Sequence, residues 1–179
     1  MRQVALLRGV NVGAAGKGRK AVPMAELRAL CERLGWRDVA SYIQSGNVAF
    51  TAKGDAAKLE QQLERAISER FGFDVPVVVR ATTALAKAEA TCPFEGEAEA
   101  RPNLVHIGFA KGKVSAAMAK AVMPYCTSGE RVLVKGQVIW ADYANGVGRS
   151  KLTPAVLDRA FGASVTMRNI KTLRAVLEL

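Results

Sequence analysis

Apolar positions along this chain keep two rhythms: short continuous or alternating runs that suit strands, and three-to-four spacings that suit helices. Val4–Val10 is a strand-like run. After a Gly- and Lys-rich loop, Pro23 suits a first helical position, and Met24, Leu27, Leu30, Cys31 and Leu34 trace a helical stripe that Gly35 closes. Val39–Ile43 and Val48–Thr51 alternate as strands around Ser45-Gly46-Asn47, which predicts a hairpin. Asp55 is placed to cap a helix carrying Leu59, Leu63, Ile67 and Phe71 and ending at Gly72, and Val75–Arg80 is a further strand. The order is β-α-β-β-α-β, the split βαβ unit of ferredoxin-like folds.

The second half repeats that order. A short helix near Thr83–Ala90 and an acidic loop, Cys92–Pro102, form the connection. Asn103–Ala110 is a strand, Ser115–Met123 a short helix, and Arg131–Val134 with Val138–Tyr143 a hairpin around Lys135-Gly136. Thr153-Pro154 opens a helix with Val156, Leu157, Ala160 and Phe161 inward and Gly162 at its end. Ser164–Met167 is a last strand and Ile170–Leu177 a terminal helix. The expected class is therefore α+β, two tandem ferredoxin-like (α/β-plait) subdomains with a C-terminal helix. Residues 1–81 form the first subdomain, 82–102 the connection and 103–179 the second subdomain. The stretch Glu95–Pro102 is expected to be exposed, mobile and tolerant of change at Glu97 and Glu99.

This topology locates a candidate site. In a split βαβ sheet the end of the first strand shares an edge with the turn between strands two and three. Arg8, Asn11, the Gly13–Lys20 loop and Ser45-Gly46-Asn47, with Gln44 beside them, are thus expected together. In the second unit the same edge is expected to hold the Lys135-Gly136 turn and Arg168-Asn169, with Gly146–Lys151 opposite.

Composition changes the picture mainly through charge. The 179 residues carry 26 Lys and Arg against 16 Asp and Glu, a net charge of +10, which attracts polyanions through a long-range, salt-screened field. Arg2, Arg8, Lys17, Arg19 and Lys20 precede the first acid, Glu26. From Tyr143 onward Arg149, Lys151, Arg159, Arg168, Lys171 and Arg174 face only Asp158 and Glu178. Half the residues are hydrophobic, as in a folded globular protein. The apolar runs are too short to span a bilayer. No signal-peptide pattern leads the chain, and three scattered cysteines, Cys31, Cys92 and Cys126, form no disulfide framework, so the cytoplasm is the expected compartment.

LLRGVNVG (Leu6–Gly13), VPMAELRALCERLGW, DVASYIQSGNVAF, FGFDVPVVVR, GRSKLTP and TMRNIKTL together resemble the bacterial domain-of-unknown-function family number sixteen ninety-seven. The match runs in order over essentially the whole chain. The resemblance implies a pair of ferredoxin-like subdomains and no established activity. The loop Ala14–Ala21 departs from the family's short Gly-Gly-Lys-Asn-Lys connection in being longer and more basic. Ile170 stands where the family generally has Trp after Arg-Asn.

No residue pattern spells a reaction. A Walker A motif ending at Gly16-Lys17 would need Gly at position 11 and Ser or Thr at position 18, where Asn11 and Gly18 stand. His106 is the only histidine and lies mid-strand, no C-x-x-C pair offers a metal site, and no cofactor is expected. Strand one carries no aromatic residue and strand three only Phe50, which argues against an RNA-recognition-type sheet.

The leading expectation is a binding protein for a phosphate-bearing ligand, nucleic acid ahead of nucleotide. Arg8, Lys17, Arg19, Lys20, Arg149, Lys151 and Arg168 would supply positive potential, and Asn11, Gln44, Ser45, Asn47, Ser150 and Asn169 hydrogen bonds. Each polar motif also has a structural reading: turn chemistry for Ser45–Asn47, helix capping for Asn169, mutual bonding for Arg8, Asn11 and Gln44. Two other classes stay open, an enzyme with a Lys/Arg/Ser site between the subdomains and a homodimer or interaction module that uses open apolar sheet faces.

Overall fold

The computed structural model describes residues 1–13 and 20–179. It divides into two compact units, Met1–Leu85 with Ala175–Leu179, and Ala86–Arg174. Among the described residues there are eight strands and seven α-helices.

In the first unit β1 (Arg2–Leu7), α1 (Met24–Arg33), β2 (Arg37–Tyr42), β3 (Asn47–Thr51), α2 (Ala56–Phe71) and β4 (Val77–Ala81) build one sheet of order β2-β3-β1-β4. Every neighbouring pair is antiparallel. α2 starts where Asp55 Oδ1 accepts the Lys58 N–H at 2.9 Å and ends at Gly72 in the left-handed region. Ala5, Leu7, Val48, Phe50, Val77 and Val79 form the strand face of a core completed by Leu27, Leu30, Leu63 and Ile67. Trp36 stacks on Phe50 at 3.9 Å. The opposite strand face, Val4, Leu6 and Val78, is 0–1% exposed.

The second unit holds β5 (Val105–Ala110), α5 (Ala116–Ala119), β6 (Glu130–Lys135), β7 (Val138–Tyr143), α6 (Pro154–Phe161) and β8 (Val165–Asn169), again ordered β6-β7-β5-β8 and antiparallel throughout. α5 runs on as a 3-10 helix, Lys120–Tyr125, around Pro124. Thr153 caps α6 through Val156 N–H at 3.3 Å. Ala110, Ile139, Ala141, Leu157 and Phe161 share the core. Val105, Ile107, Phe109 and Trp140, on the other strand face, are also buried.

The acidic stretch is exposed at Glu95, Gly96, Glu99 and Ala100, as expected, but it is not a loop. α3 (Thr82–Glu89) is followed not by a loop but by α4 (Glu95–Ala100), seated through buried Phe94 and Ala98. Residues 86–102 belong to the second unit. α7 (Ile170–Leu177) carries Arg174, which pairs with Glu89 and Glu99. Glu97 pairs with Arg131, whose guanidinium lies 4.7 Å from the Phe94 ring centroid. Asp142, fully buried on β7, takes Arg131 Nη2 at 2.7 Å and faces Arg101 end-on, with Nη2–Oδ2 and Nη1–Oδ1 both 2.8 Å. Only the first of those two Arg101 contacts is aligned as a hydrogen bond. The stretch is a bonded wall of the second unit.

Two outcomes follow from this network. Asp142→Ala leaves two guanidinium groups against a wall built for a carboxylate. It should lower urea-denaturation stability by about 2–4 kcal/mol, more than Glu97→Ala at the rim. The Arg131 hydrogen bond holds the Glu97 carboxyl below its ordinary 4.5. Glu97 therefore stabilises the fold above that range, and the contribution disappears as pH falls through the depressed value. A carboxyl-carbon NMR titration should place the Glu97 midpoint below 4.5, and Arg131→Gln should return it upward.

Candidate functional site

The end of β1 meets the β2–β3 turn as the strand order requires. Leu6 pairs with Asn47 across the sheet, and the Leu7 N–H donates to the Gly46 carbonyl at 2.8 Å. The Arg8 N–H donates to the Pro76 carbonyl at 3.0 Å, just before β4. Arg8 thus leaves the sheet with its backbone fixed and its side chain partly exposed. Gly9, at φ +68°, turns the chain away.

Asn11 ties this edge together. Its Nδ2 donates to the carbonyls of Val22 at 2.8 Å and Gln44 at 2.7 Å, and its Oδ1 accepts the Val22 N–H at 2.9 Å. Its own N–H donates to the Lys20 carbonyl at 2.9 Å. Asn47, fully buried, donates through Nδ2 to the Tyr42 carbonyl at 3.1 Å and Ser45 Oγ at 2.9 Å. Both amides are engaged in holding backbone. Ile43 lies between the two carbonyls they hold and has φ +47°. That conformation costs a β-branched residue on the order of 1–3 kcal/mol.

Arg8, Gly9, Lys20 and Pro76 line an open depression of about 310 Å³. Lys20 Nζ donates to the Asp74 carbonyl, which holds the ammonium at its rim. In the β2–β3 turn Gln44 is exposed and Ser45 partly exposed. Lys17 and Arg19 lie outside the described residues. A larger depression, about 570 Å³, opens at the far edge of the same sheet among Met1, Trp36, Arg37, Lys53 and Gln62. Trp36 there is 4% exposed and stacked on Phe50, so its ring face is already occupied.

The second unit corrects one expectation. Arg168-Asn169 does not share an edge with the Lys135-Gly136 turn. β8 runs antiparallel to β5, so Asn169 pairs with His106 near the start of β5, while the β6–β7 turn lies beyond Gly108–Ile139 toward its end. The segment 146–151 leaves from the β5-start edge, after β7. Asn169 Oδ1 accepts the Thr172 N–H at 2.7 Å and so caps α7, and Ser150 Oγ accepts the Leu152 N–H at 3.0 Å. Arg168 Nη1 donates to the Met167 carbonyl, and burial lowers its pKa to about 10. Arg149 and Lys151 are exposed.

The groups that titrate near neutrality are not tuned for attack. Burial raises all three thiols, Cys31 to about 12, which leaves them protonated. Burial lowers His106, whose ring packs edge-on against Tyr143 at 4.9 Å. Among the described residues no three His, Cys, Asp or Glu side chains group to hold a metal, and no helix is long and apolar enough to cross a membrane.

Two residues of this edge escape a reading by composition. Pro76 was recoverable from topology, because an antiparallel β4 must begin where β1 ends. Ile43 had no sequence signal, since it reads as the last residue of a strand.

Residues 1–140 match the family model described as "Protein of unknown function (DUF1697)". No curated protein matches the chain. Among solved structures, the chain is similar to the conserved bacterial protein SP0830 from Streptococcus pneumoniae, with 24% identity and a TM-score of 0.73 over 99% of this chain and 97% of that one. That likeness is one of fold. The whole Arg8–Asn47 edge falls inside the family match, whereas Asp142, Arg149–Lys151 and Arg168 fall outside it.

The turn itself is testable. A Cβ on Gly46 would stand 2.7 Å from both Leu7 Cβ and Val10 Cγ2, and its φ is +74°. Gly46→Ala should therefore cost about 2–4 kcal/mol in chemical denaturation.

Proposed function

The chain belongs to the DUF1697 family, and from that premise we propose that it binds a phosphate-bearing ligand, nucleic acid ahead of nucleotide, at the β1-end edge of its first unit. We take each unit as a ferredoxin-like module, on the strength of its β-α-β-β-α-β order and its β2-β3-β1-β4 type of sheet. The observation that carries the functional reading is the setting of Arg8. Its guanidinium starts from the end of a buried strand, over a depression that it shares with Lys20. A guanidinium held there grips phosphate in a fixed, two-pronged geometry. Lys20 adds charge, and Gln44 and Ser45 supply hydrogen bonds. Asn11 and Asn47 position this edge rather than touch the ligand. Arg149, Lys151 and Arg168 would add to the positive field of their own unit, with Ser150 and Asn169 in capping roles.

Fluorescence anisotropy with a labelled single-stranded oligonucleotide, and thermal shift with mononucleotides, test this at about 50 and 200 mM salt. Oligonucleotide binding should weaken steeply with salt. Arg8→Lys, which keeps the charge, should lose about tenfold in affinity, nearly as much as Arg8→Ala. If Arg8→Ala lowers the melting temperature while binding measured well below it stays intact, Arg8 braces the hairpin and the reading fails.

A further inference from the structure

The ligand reading leaves Ile43 unexplained, and the structure makes it hard to ignore. The carbonyls on either side of it are held, Tyr42 by Asn47 Nδ2 and Gln44 by Asn11 Nδ2. Between these two bonded carbonyls Ile43 has φ +47°. The side chain is 51% exposed, and Val12, next to Asn11 on the facing loop, is 61% exposed. A β-branched residue is poorly suited to a left-handed position, and about half of this one stands in water. Asn or Gly would meet both demands. A β-branched residue held in a left-handed conformation is a pointer to a site where something else is bound.

Its neighbours indicate the chemistry. Leu7, just before Arg8, bonds to Gly46 of the turn, Asn11 joins the Lys20 and Gln44 backbones, and the exposed Gln44 amide follows Ile43 directly. A rigid apolar knob beside a phosphate-gripping pair suits a molecule that joins a flat apolar ring to a phosphate. We propose that Ile43, with Val12, packs against a nucleobase of a single-stranded nucleic acid whose phosphate lies at Arg8. This rests on the phosphate-binding reading above and adds to it a base contact and the residue that makes it. The contact is sequence-tolerant, because every base offers a ring face and Ile43 offers no hydrogen bond.

The test compares two labelled probes of equal length, a single-stranded DNA and the same backbone with abasic sites throughout, bound to wild type, Ile43→Asn and Ile43→Leu. Affinities are read well below each melting temperature. Wild type should prefer the base-bearing strand by about tenfold. Ile43→Asn should abolish that preference while binding the abasic strand as wild type does, and Ile43→Leu should keep it. The melting temperature of Ile43→Asn should rise by about 2–4 °C as the strain is relieved. A base preference that survives in Ile43→Asn, or is lost equally in Ile43→Leu, overturns the proposal. So does a fall in melting temperature with Ile43→Asn, because the fold would then depend on Ile43. Equal binding of both probes by wild type removes the base contact and leaves phosphate binding standing. Binding of neither probe, or of anionic phospholipid vesicles only, removes the nucleic-acid reading and this inference with it.

Discussion

The side-chain amide of Asn11 is the interaction on which the candidate edge depends. One Nδ2 group bridges the Val22 carbonyl ahead of α1 and the Gln44 carbonyl in the β2–β3 turn, while Oδ1 takes the Val22 N–H. Three segments far apart in sequence are thereby joined at one small polar group. Its bonds replace those that buried backbone would otherwise lack. The arrangement holds both ends of the loop after β1 against the turn, and it holds the turn in a conformation that Ile43 would not choose alone. Among the described residues, backbone tied at a sheet edge and an open depression are what surround Arg8.

Charge reads differently once the ion pairs are known. Arg70, Arg80, Arg101, Arg131 and Arg174 all pair with carboxylates. Arg2 spends its guanidinium on the carbonyls of Asp38 and Leu179. These cations serve the fold. Lys20 Nζ likewise donates to the Asp74 carbonyl, and Lys20 and Arg8 stand out because they flank a depression. A net charge counts cations without telling which are spent in this way.

Asn47 and Asp142 show where a reading of the chain succeeds and where it stops. Both are fully buried polar side chains at strand positions. The partners of Asn47, Ser45 Oγ and the Tyr42 carbonyl, lie two and five residues away. The turn chemistry of Ser-Gly-Asn therefore announces it. The partners of Asp142, Arg131 and Arg101, lie 11 and 41 residues away on other elements. Nothing near Asp142 in the chain marks it as paired. The same distance hid the order of the acidic stretch, since Arg131 is 34 residues from Glu97 and Arg174 is 75 from Glu99. Glu97 and Glu99, spaced among small residues, look solvated until Arg131 and Arg174 are placed.

Local pattern was enough for the alternation of strands and helices, the caps at Asp55 and Thr153, the stops at Gly72 and Gly162, and the meeting of Arg8 and Asn11 with the Ser45–Asn47 turn. Each follows from local geometry or from strand order, which apolar periodicity and turn residues encode within a few neighbouring positions. Strand order likewise puts Arg168-Asn169 at the β5-start edge, because an antiparallel β8 must end where β5 begins. The assembled fold was needed to see that Asn11 and Asn47 spend their amides on backbone, that the second strand face of each sheet is buried, and that Ile43 is left-handed and half exposed. These depend on which carbonyl, carboxylate or strand comes to lie beside a residue from elsewhere in the chain. Hydrogen bonds and ion pairs act over about 3 Å in space, with no regard to separation along the sequence.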